Sequence, residues 1–289
     1  MTTNLDAVVP LIASMREIGA AREAWISDIW GVLHNGIEAF PSAAEACVRY
    51  REQGGVIVLV TNAPRPESDV SAMLARLGVP RGAYDAIVTS GDVTRDLIRP
   101  WQRQGVHHLG PDRQSMIFEG LDVALVPLAQ ADVVVCTGLV DDDRETPDDY
   151  RAILSEMRRA DPVMICANPD IVVERGDRIV YCAGALAEAY EALGGRVQYA
   201  GKPHAPIYRR AFELIAEAKG RPVAPEHILA IGDGLRTDIE GARRMDLASL
   251  FIGSALHVPH GRALDEALLA SLFDDHPMPP LAAQRALVW

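Results

Sequence analysis

The sequence lacks the features of membrane, exported and disulfide-bonded proteins. No apolar run approaches the roughly 18 residues that a membrane span needs, and the region after Met1 has neither a charged-then-apolar signal nor a basic transit pattern. Only four cysteines occur in 289 residues, without a Cys-x-x-Cys pair, and three lie in or beside apolar stretches. We therefore expect buried thiols, a reducing cytoplasmic location and no membrane partner.

Basic residues are also scarce. There are 28 Lys and Arg against 40 Asp and Glu, which gives a formal net charge of −12. This balance argues against a nucleic-acid partner, because phosphate backbones require a basic face. It leaves room for a small anionic substrate, since one pocket can be locally positive. The absence of Gly-x-Gly-x-x-Gly and Gly-x4-Gly-Lys-Ser/Thr patterns disfavours dinucleotide binding and P-loop hydrolysis.

Strand and helix patterns alternate along the chain. A buried strand over Val56–Val60 lies between helices over Pro41–Gln53 and Pro66–Leu77, and a strand over Ala86–Ser90 follows. Later segments repeat the pattern: a helix over Pro206–Lys219, a strand before Asp233 and an apolar segment over Leu247–Ile252. Such alternation predicts a doubly wound α/β fold, with a parallel sheet and helices on both faces.

A middle segment could fold as a separate domain. It contains predicted strands at Asp132–Gly138 and Val163–Ala167, with a helix start at Thr146–Asp149 between them. We therefore predict a core domain formed by residues 1–90 and 197–289, and a cap domain formed by residues 91–196. The proline-rich end of the chain, Asp274–Trp289, is predicted to be an irregular tail.

Two aspartates stand where apolar strands end. Asp28 lies within Trp25–Leu33, Asp233 ends the strand in His227–Gly234, and Asp238 follows five residues later. A carboxylate in such apolar surroundings costs several kcal/mol unless a cation or hydrogen-bond donors satisfy it. Parallel sheets bind ligands beyond the carboxyl ends of their strands. The positions therefore indicate a nucleophile and a metal site.

Short motifs occur in a fixed order along the chain: Asp28–Leu33, Val60–Ala63, Ala167–Asp170, Gly201–Pro203 and Gly232–Asp238. Together they resemble the haloacid dehalogenase (HAD) superfamily, and within it class IIA, the NagD and p-nitrophenylphosphatase-like branch. The resemblance covers about residues 20 to 260. It implies a Rossmann-like doubly wound core with an inserted α/β cap of the C2 type, and hydrolysis of a small phosphorylated metabolite.

The resemblance also implies a metal site. Mg²⁺ would be held by Asp28, Asp233 and the backbone carbonyl of Trp30, with Asp238 assisting directly or through water. Hard oxygen ligands are the ones that Mg²⁺ prefers. The structural alternatives are that Asp28 is a helix cap, that Asp233 is a turn residue and that Asp238 caps the helix it opens.

The resemblance assigns further residues to the phosphoryl group. Asp28 would attack phosphorus and form an aspartyl-phosphate, in which one difficult displacement becomes two. Thr61 and the backbone of Asn62 would donate hydrogen bonds to phosphate oxygens, and Lys202 would neutralise the charge shared between nucleophile and phosphate. The structural alternatives are turn formation by Thr61 and Asn62, and a solvated Lys202.

One departure from the family pattern affects the chemistry. Family phosphatases carry a second aspartate two residues after the nucleophile, and this chain has Trp30 there. Indole cannot exchange a proton near neutral pH, and loss of a general acid–base costs about 10²–10⁴-fold in rate. We therefore expect slow turnover. His34 is the nearest titratable candidate for the missing role; with Asn168 and Asp170 it is assigned to the substrate entrance.

Two other functions stay open. An aromatic residue at position 30 also resembles true haloacid dehalogenases, whose halide leaving group needs no proton, although those enzymes lack the acidic pair kept here as Asp233 and Asp238. The chain could instead be a non-catalytic binder of phosphorylated metabolites. An exposed apolar face of the cap could pair two chains into a homodimer.

Overall fold

The computed structural model describes residues 9–175, 178–253 and 264–289. The strands within these ranges are β1 (Ala24–Ser27), β2 (Val56–Thr61), β3 (Ala86–Thr89), β4 (Gly105–Leu109), β5 (Ala124–Leu125), β6 (Val133–Cys136), β7 (Val163–Cys166), β8 (Val172–Arg175), β9 (Arg178–Tyr181), β10 (Arg196–Tyr199), β11 (Ile228–Gly232), β12 (Ala248–Ile252) and β13 (Ala282–Gln284). The α-helices are α1 (Pro41–Glu52), α2 (Glu67–Arg76), α3 (Ser90–Ile98), α4 (Arg151–Ala160), α5 (Ala183–Ala192), α6 (Ala205–Lys219), α7 (Glu240–Arg244) and α8 (Glu266–Phe273).

The chain folds into two compact units. The first comprises Met1–Thr61, Ser71–Val88 and Tyr208–Trp289, and the second comprises Asn62–Val70 and Thr89–Ile207. The predicted cap, residues 91–196, lies within the second unit, which also includes residues 62–70, 89–90 and 197–207 that the sequence analysis placed in the core.

The first unit contains a six-stranded sheet in the order β13-β12-β11-β1-β2-β3. β1 pairs in parallel with both β2 and β11, and β12 pairs in parallel with β11 and β13. Every residue of β1, β2 and β11 is buried. Strands covered on both faces read as continuous apolar runs, which is why the sequence predicted them clearly. The predicted doubly wound α/β fold is confirmed.

The second unit has its own parallel sheet, in the order β10-β7-β6-β4-β5, and a separate antiparallel hairpin of β8 and β9. The helix predicted from Thr146 begins as a 3-10 turn, Pro147–Tyr150, which continues into α4. Asp149 accepts hydrogen bonds from the backbone N–H (2.8 Å) and the hydroxyl (3.0 Å) of Thr146, so the predicted start is confirmed.

The prediction of an irregular C-terminal tail is wrong in part. β13 lies within it and extends the sheet of the first unit, with Leu250 opposite Ala282. Three prolines precede this strand, at positions 277, 279 and 280, and indicate a break in regular structure. The strand itself is Ala-Ala-Gln, which lacks the β-branched and aromatic residues that mark strands in a sequence.

The apolar end of the tail packs within the first unit. Leu287 is fully buried. The ring of Trp289 lies 6.1 Å from that of Trp25 and 6.2 Å from that of Tyr50, which stack on each other at 3.8 Å. The tail therefore contributes to the core of this unit, because apolar burial and aromatic packing both stabilise the folded state.

The four cysteines are buried and form no disulfides, as the sequence predicted. Within the part of the chain that the structure describes, no helix has the length and apolar character required to cross a bilayer.

We expect Leu287→Ala to destabilise the protein by about 2–5 kcal/mol, because it removes a fully buried side chain and leaves a cavity. The matched control is Leu281→Ala in the same tail, whose side chain is 44% exposed and should cost less than about 0.5 kcal/mol. Urea unfolding of both variants measures the difference. Equal losses in the two variants would show that the tail does not pack as described.

Candidate active site

The site begins where the two central strands of the first unit end. Ser27 in β1 lies opposite Ile231 in β11, and the backbone N–H of Asp28 continues the pairing by donating to the Ile231 carbonyl (2.8 Å). Asp28 and Asp233 therefore follow adjacent parallel strands at the same edge of the sheet. The chain proceeds from β1 to β2 on one side and from β11 to β12 on the other. Ligands of doubly wound folds bind where the strand order reverses in this way.

A tight turn brings in the third carboxylate. Residues Leu235–Ile239 form one π-helical turn, and the N–H of Asp238 donates to the Gly234 carbonyl (2.9 Å). The Asp238 carboxylate accepts from the Gly234 N–H (3.0 Å), so it folds back toward the end of β11. Gly232 permits this, since a Cβ there would lie 2.2 Å from Asp238 Cγ. Turns of this type are frequent at functional sites.

The side chains of Asp28, Asp233 and Asp238 converge. One carboxylate oxygen from each lies within 4.8 Å of those of the other two. Asp233 and Asp238 are 2% and 5% exposed, and Asp28 is half-buried. At 4.8 Å two carboxylates repel by about 3.5 kcal/mol for an effective dielectric constant of about 20. A donor set of three carboxylates fits a hard divalent cation, which would offset this repulsion.

Gly31 shapes the loop over these carboxylates. Its φ is +79°, and a Cβ on it would lie 2.2 Å from Asp233 Oδ2. Only glycine allows both this backbone conformation and this close approach. The neighbouring Trp30 is half-buried and forms an isolated β-bridge with His34, in which the Gly31 N–H donates to the His34 carbonyl (2.8 Å). A metal contact from the Trp30 carbonyl stays a prediction.

His34 is 3% exposed, so it does not lie on the surface of its loop. Its Nδ1 accepts a hydrogen bond from the Gly36 N–H (2.8 Å), which places the proton of the neutral ring on Nε2. Within residues 9–175, 178–253 and 264–289, Nε2 has no hydrogen-bond partner. Burial lowers the pKa of His34 from its usual value of 6.5. A role at the substrate entrance, or as the missing acid–base, stays a prediction.

Thr61 is the last residue of β2 and is buried. β2 is the neighbour of β1, with Leu59 opposite Ser27. Thr61 therefore leaves the sheet at the same edge as Asp28, as the sequence predicted. Its contact with phosphate stays a prediction.

In the second unit, the side chain of Asn62 joins Lys202, predicted at the phosphate, to Asp170, predicted at the substrate entrance. Its Oδ1 accepts from the Lys202 N–H (2.7 Å), and its Nδ2 donates to the Lys202 carbonyl (3.1 Å) and to Asp170 Oδ1 (2.9 Å). Asn168 Oδ1 accepts from the Asp170 N–H (3.0 Å). The Asn62 side chain thus fixes both sides of the Lys202 backbone.

The sequence did not predict this role of the Asn62 side chain, because only its backbone was assigned. The signal that could have indicated it is Gly201, directly before Lys202. A Cβ on Gly201 would lie 2.3 Å from Asn62 Oδ1, so a glycine is needed where the amide approaches the backbone. Lys202 itself is 3% exposed, which contradicts the interpretation as a solvated lysine.

Comparison with known proteins identifies the family. A family model described as haloacid dehalogenase-like hydrolase matches residues 25–124, and a second, described as HAD-hydrolase-like, matches residues 199–267. A crystal structure of a haloacid dehalogenase-like hydrolase from Brucella suis 1330 is 46% identical, covers 96% of this chain and all of that one, and has a TM-score of 0.83. The chain belongs to the haloacid dehalogenase-like hydrolases.

More distant relatives agree with the assignment of this chain to the HAD-like hydrolases. Bovine chronophin is 27% identical over 262 residues, which are 82% of this chain and 83% of that protein. NagD from Escherichia coli K-12 shares the fold, with 23% identity, a TM-score of 0.63 and coverage of 92% of this chain and 97% of that one. The resemblance to the NagD-like branch is confirmed at the level of the fold.

We expect Mg²⁺ to raise the thermal unfolding midpoint of this HAD-like hydrolase. A Mg²⁺ concentration 100 times its dissociation constant stabilises the folded state by about 2.7 kcal/mol. Each kcal/mol raises the unfolding midpoint of a chain this large by about 2–4 °C. Asp233→Asn should remove the shift, because it removes one carboxylate of the cluster.

The control for this measurement is Asp246→Asn, which changes an exposed aspartate of the same unit at a positive φ that asparagine also adopts. It should keep the full Mg²⁺ shift. A shift of equal size in wild type and Asp233→Asn would exclude Asp233 as a ligand.

Proposed function

We propose that this hydrolase is a Mg²⁺-dependent phosphatase that acts on a small phosphorylated metabolite. The observation that supports the proposal is the convergence of Asp28, Asp233 and Asp238 within 4.8 Å. True dehalogenases, which the sequence left as an alternative, lack the acidic pair. When bound, Mg²⁺ would neutralise charge on the phosphoryl oxygens and on the nucleophile.

In the proposed reaction, Asp28 acts as the nucleophile. Its N–H pairs with β11, and its Oδ1 accepts from the Ile29 N–H (2.7 Å), so one carboxylate oxygen is oriented by the backbone. The other oxygen attacks phosphorus, the bond from phosphorus to the ester oxygen breaks, and an aspartyl-phosphate forms. Water then attacks this intermediate and releases phosphate.

The remaining groups stabilise charge on the transferred phosphoryl group. In this proposal Thr61 and the N–H of Asn62 would donate to its oxygens, and the ammonium of Lys202 would neutralise the charge that develops in the transition state. Asn62 accepts from the Lys202 N–H and donates to the Lys202 carbonyl, and these two hydrogen bonds support the role because they fix the backbone from which the lysine side chain starts.

The leaving oxygen needs a proton in this reaction, and Trp30 cannot supply it. Aryl phosphates with acidic leaving groups depend less on a general acid than alkyl phosphates do, because their leaving oxygen is stable without a proton. The enzyme should therefore turn over p-nitrophenyl phosphate faster than alkyl phosphates.

Asp28→Asn should abolish hydrolysis of p-nitrophenyl phosphate, because the amide is not a nucleophile. The variant should remain folded, with an unchanged circular dichroism spectrum. Undiminished release of p-nitrophenol would remove Asp28 from the mechanism.

Trp30→Asp should raise kcat for alkyl phosphates by about 10²-fold or more, because it supplies the missing acid. The gain for p-nitrophenyl phosphate should be much smaller. Trp30→Asn is the matched control, because asparagine has the shape of aspartate but transfers no proton. This variant should show no gain. Equal gains in the two variants would mean that removal of the indole, rather than proton transfer, is responsible.

A further inference from the structure

The parallel sheet of the second unit has a point of strand-order reversal of its own. β5 lies on one side of β4, and β6 lies on the other. The segment after β4 packs on one face of the sheet through Ile117 and Phe118, whereas α4, which follows β6, packs on the opposite face through Leu154 and Met157. The chain therefore leaves the carboxyl ends of β4 and β6 toward opposite faces. This is the topology that brings Asp28 and Asp233 together in the first unit.

A neutral polar pair lies at this reversal point. His108, in β4, is joined through Nε2 to the hydroxyl of Thr137, just after β6, at 2.8 Å. Gly110 is required for this contact, because a Cβ there would lie 2.1 Å from Thr137 Oγ1. Burial and the neighbouring His107 lower the pKa of His108 from its usual value of 6.5, so its ring is neutral at pH 7.

A buried side-chain acceptor, Gln114 Oε1, lies at the same place. Gln114 Oε1 is buried and, among the residues that the structure describes, has no hydrogen-bond partner. It is next to the end of β6, since a Cβ on Gly138 would lie 3.7 Å from it. A buried polar atom without a partner lowers stability, and a ligand that donates a hydrogen bond would remove that cost. Oε1 itself is not open to solvent, but the Gln114 side chain as a whole is half-buried. A turn about its terminal torsion, which has a broad energy minimum, can present Oε1 to a ligand.

The chemistry of these groups selects a neutral ligand. Imidazole, hydroxyl and amide are all uncharged at pH 7, and the nearby Arg113 is paired with Asp142. Whichever of His108 and Thr137 donates to the other, the Thr137 hydroxyl keeps one further hydrogen-bonding position. A ligand hydroxyl can donate to Gln114 Oε1 and can also bond to the remaining position on the Thr137 hydroxyl. A purely apolar or purely anionic group cannot do both.

The same edge of this sheet also carries residues predicted at the substrate entrance and at the phosphate. Asn168 and Asp170 follow β7, and Lys202 follows β10. Because adjacent strands lie about 4.8 Å apart, the ends of β6 and β4 are about 10–14 Å from the end of β10. One ligand of this length could contact Lys202 and Gln114 together.

We infer that Gln114, Thr137 and His108 form a subsite for the hydroxyl groups of the substrate alcohol. The substrate class is then a phosphate monoester of a polyhydroxylated alcohol that extends about 10 Å from its phosphate. This inference rests on the proposed function, because it assigns the phosphate end to Lys202.

The test compares hydrolysis of p-nitrophenyl phosphate, whose alcohol part has no hydroxyl, with hydrolysis of a panel of sugar and polyol phosphates. Gln114→Leu should lower kcat/KM for the best polyol phosphate about tenfold, mainly through KM, and leave p-nitrophenyl phosphate unchanged. It should also raise the unfolding midpoint of the ligand-free protein by about 2–4 °C, because it removes an unpaired buried acceptor. The control is Gln104→Leu, at an exposed position before the amino end of β4. It should change neither kcat/KM for the polyol phosphate nor the unfolding midpoint.

Three outcomes would overturn the subsite. Gln114→Leu could lower the midpoint and both activities equally, which would indicate a structural role. It could leave the activity on every polyol phosphate unchanged. The wild type could hydrolyse p-nitrophenyl phosphate and prefer no polyol ester.

If the wild type hydrolyses no phosphate ester with Mg²⁺, the proposed function fails. Binding of polyols to the protein then tests the subsite independently of hydrolysis. Saturation-transfer NMR with unphosphorylated polyols should then show binding to wild type that is lost in Gln114→Leu. No binding to wild type in that experiment would also overturn the subsite.

Discussion

Repulsion among three carboxylates is the interaction on which this site depends. Strand pairing puts Asp28 and Asp233 at neighbouring strand ends, and the turn after β11 returns Asp238 to the same point. Gly31 and Gly232 lack the Cβ atoms that would prevent the approach. Three carboxylates within 4.8 Å in a largely buried place are costly, and a cation between them would offset that cost. The sheet topology, the glycines and the family chemistry are all consistent with a cation there.

The sequence predicts those parts of the molecule in which local pattern and burial agree. β1, β2 and β11 are continuous apolar runs buried on both faces, and the aspartates that follow them could be assigned from strand ends alone. β13 has no such pattern, because Ala-Ala-Gln becomes a strand only through its pairing with β12. β4 contains His107 and His108, so it has no continuous apolar pattern and the sequence did not predict it. It is a strand because it pairs within the sheet of the second unit.

Side-chain partners distant in sequence could not be predicted. Asn62 was assigned to the phosphate by its backbone, yet its side chain bonds to Asp170 and to both backbone polar groups of Lys202. Neither residue is near it in the chain, and no periodicity reports such a contact. The same holds for Gln114, whose side-chain oxygen has no partner among the described residues, a fact that only the arrangement of the strands reveals. Both sheets thus carry polar groups at the point where strand order reverses, charged in one unit and neutral in the other.

The most direct test of the account is a crystal structure of the protein grown with Mn²⁺, in which anomalous scattering locates the ion. We expect one strong peak bound by carboxylate oxygens of Asp28, Asp233 and Asp238, directly or, for Asp238, through one water. A cation bound elsewhere, with none between these three side chains, would contradict it. So would coordinates in which the three carboxylates face different regions.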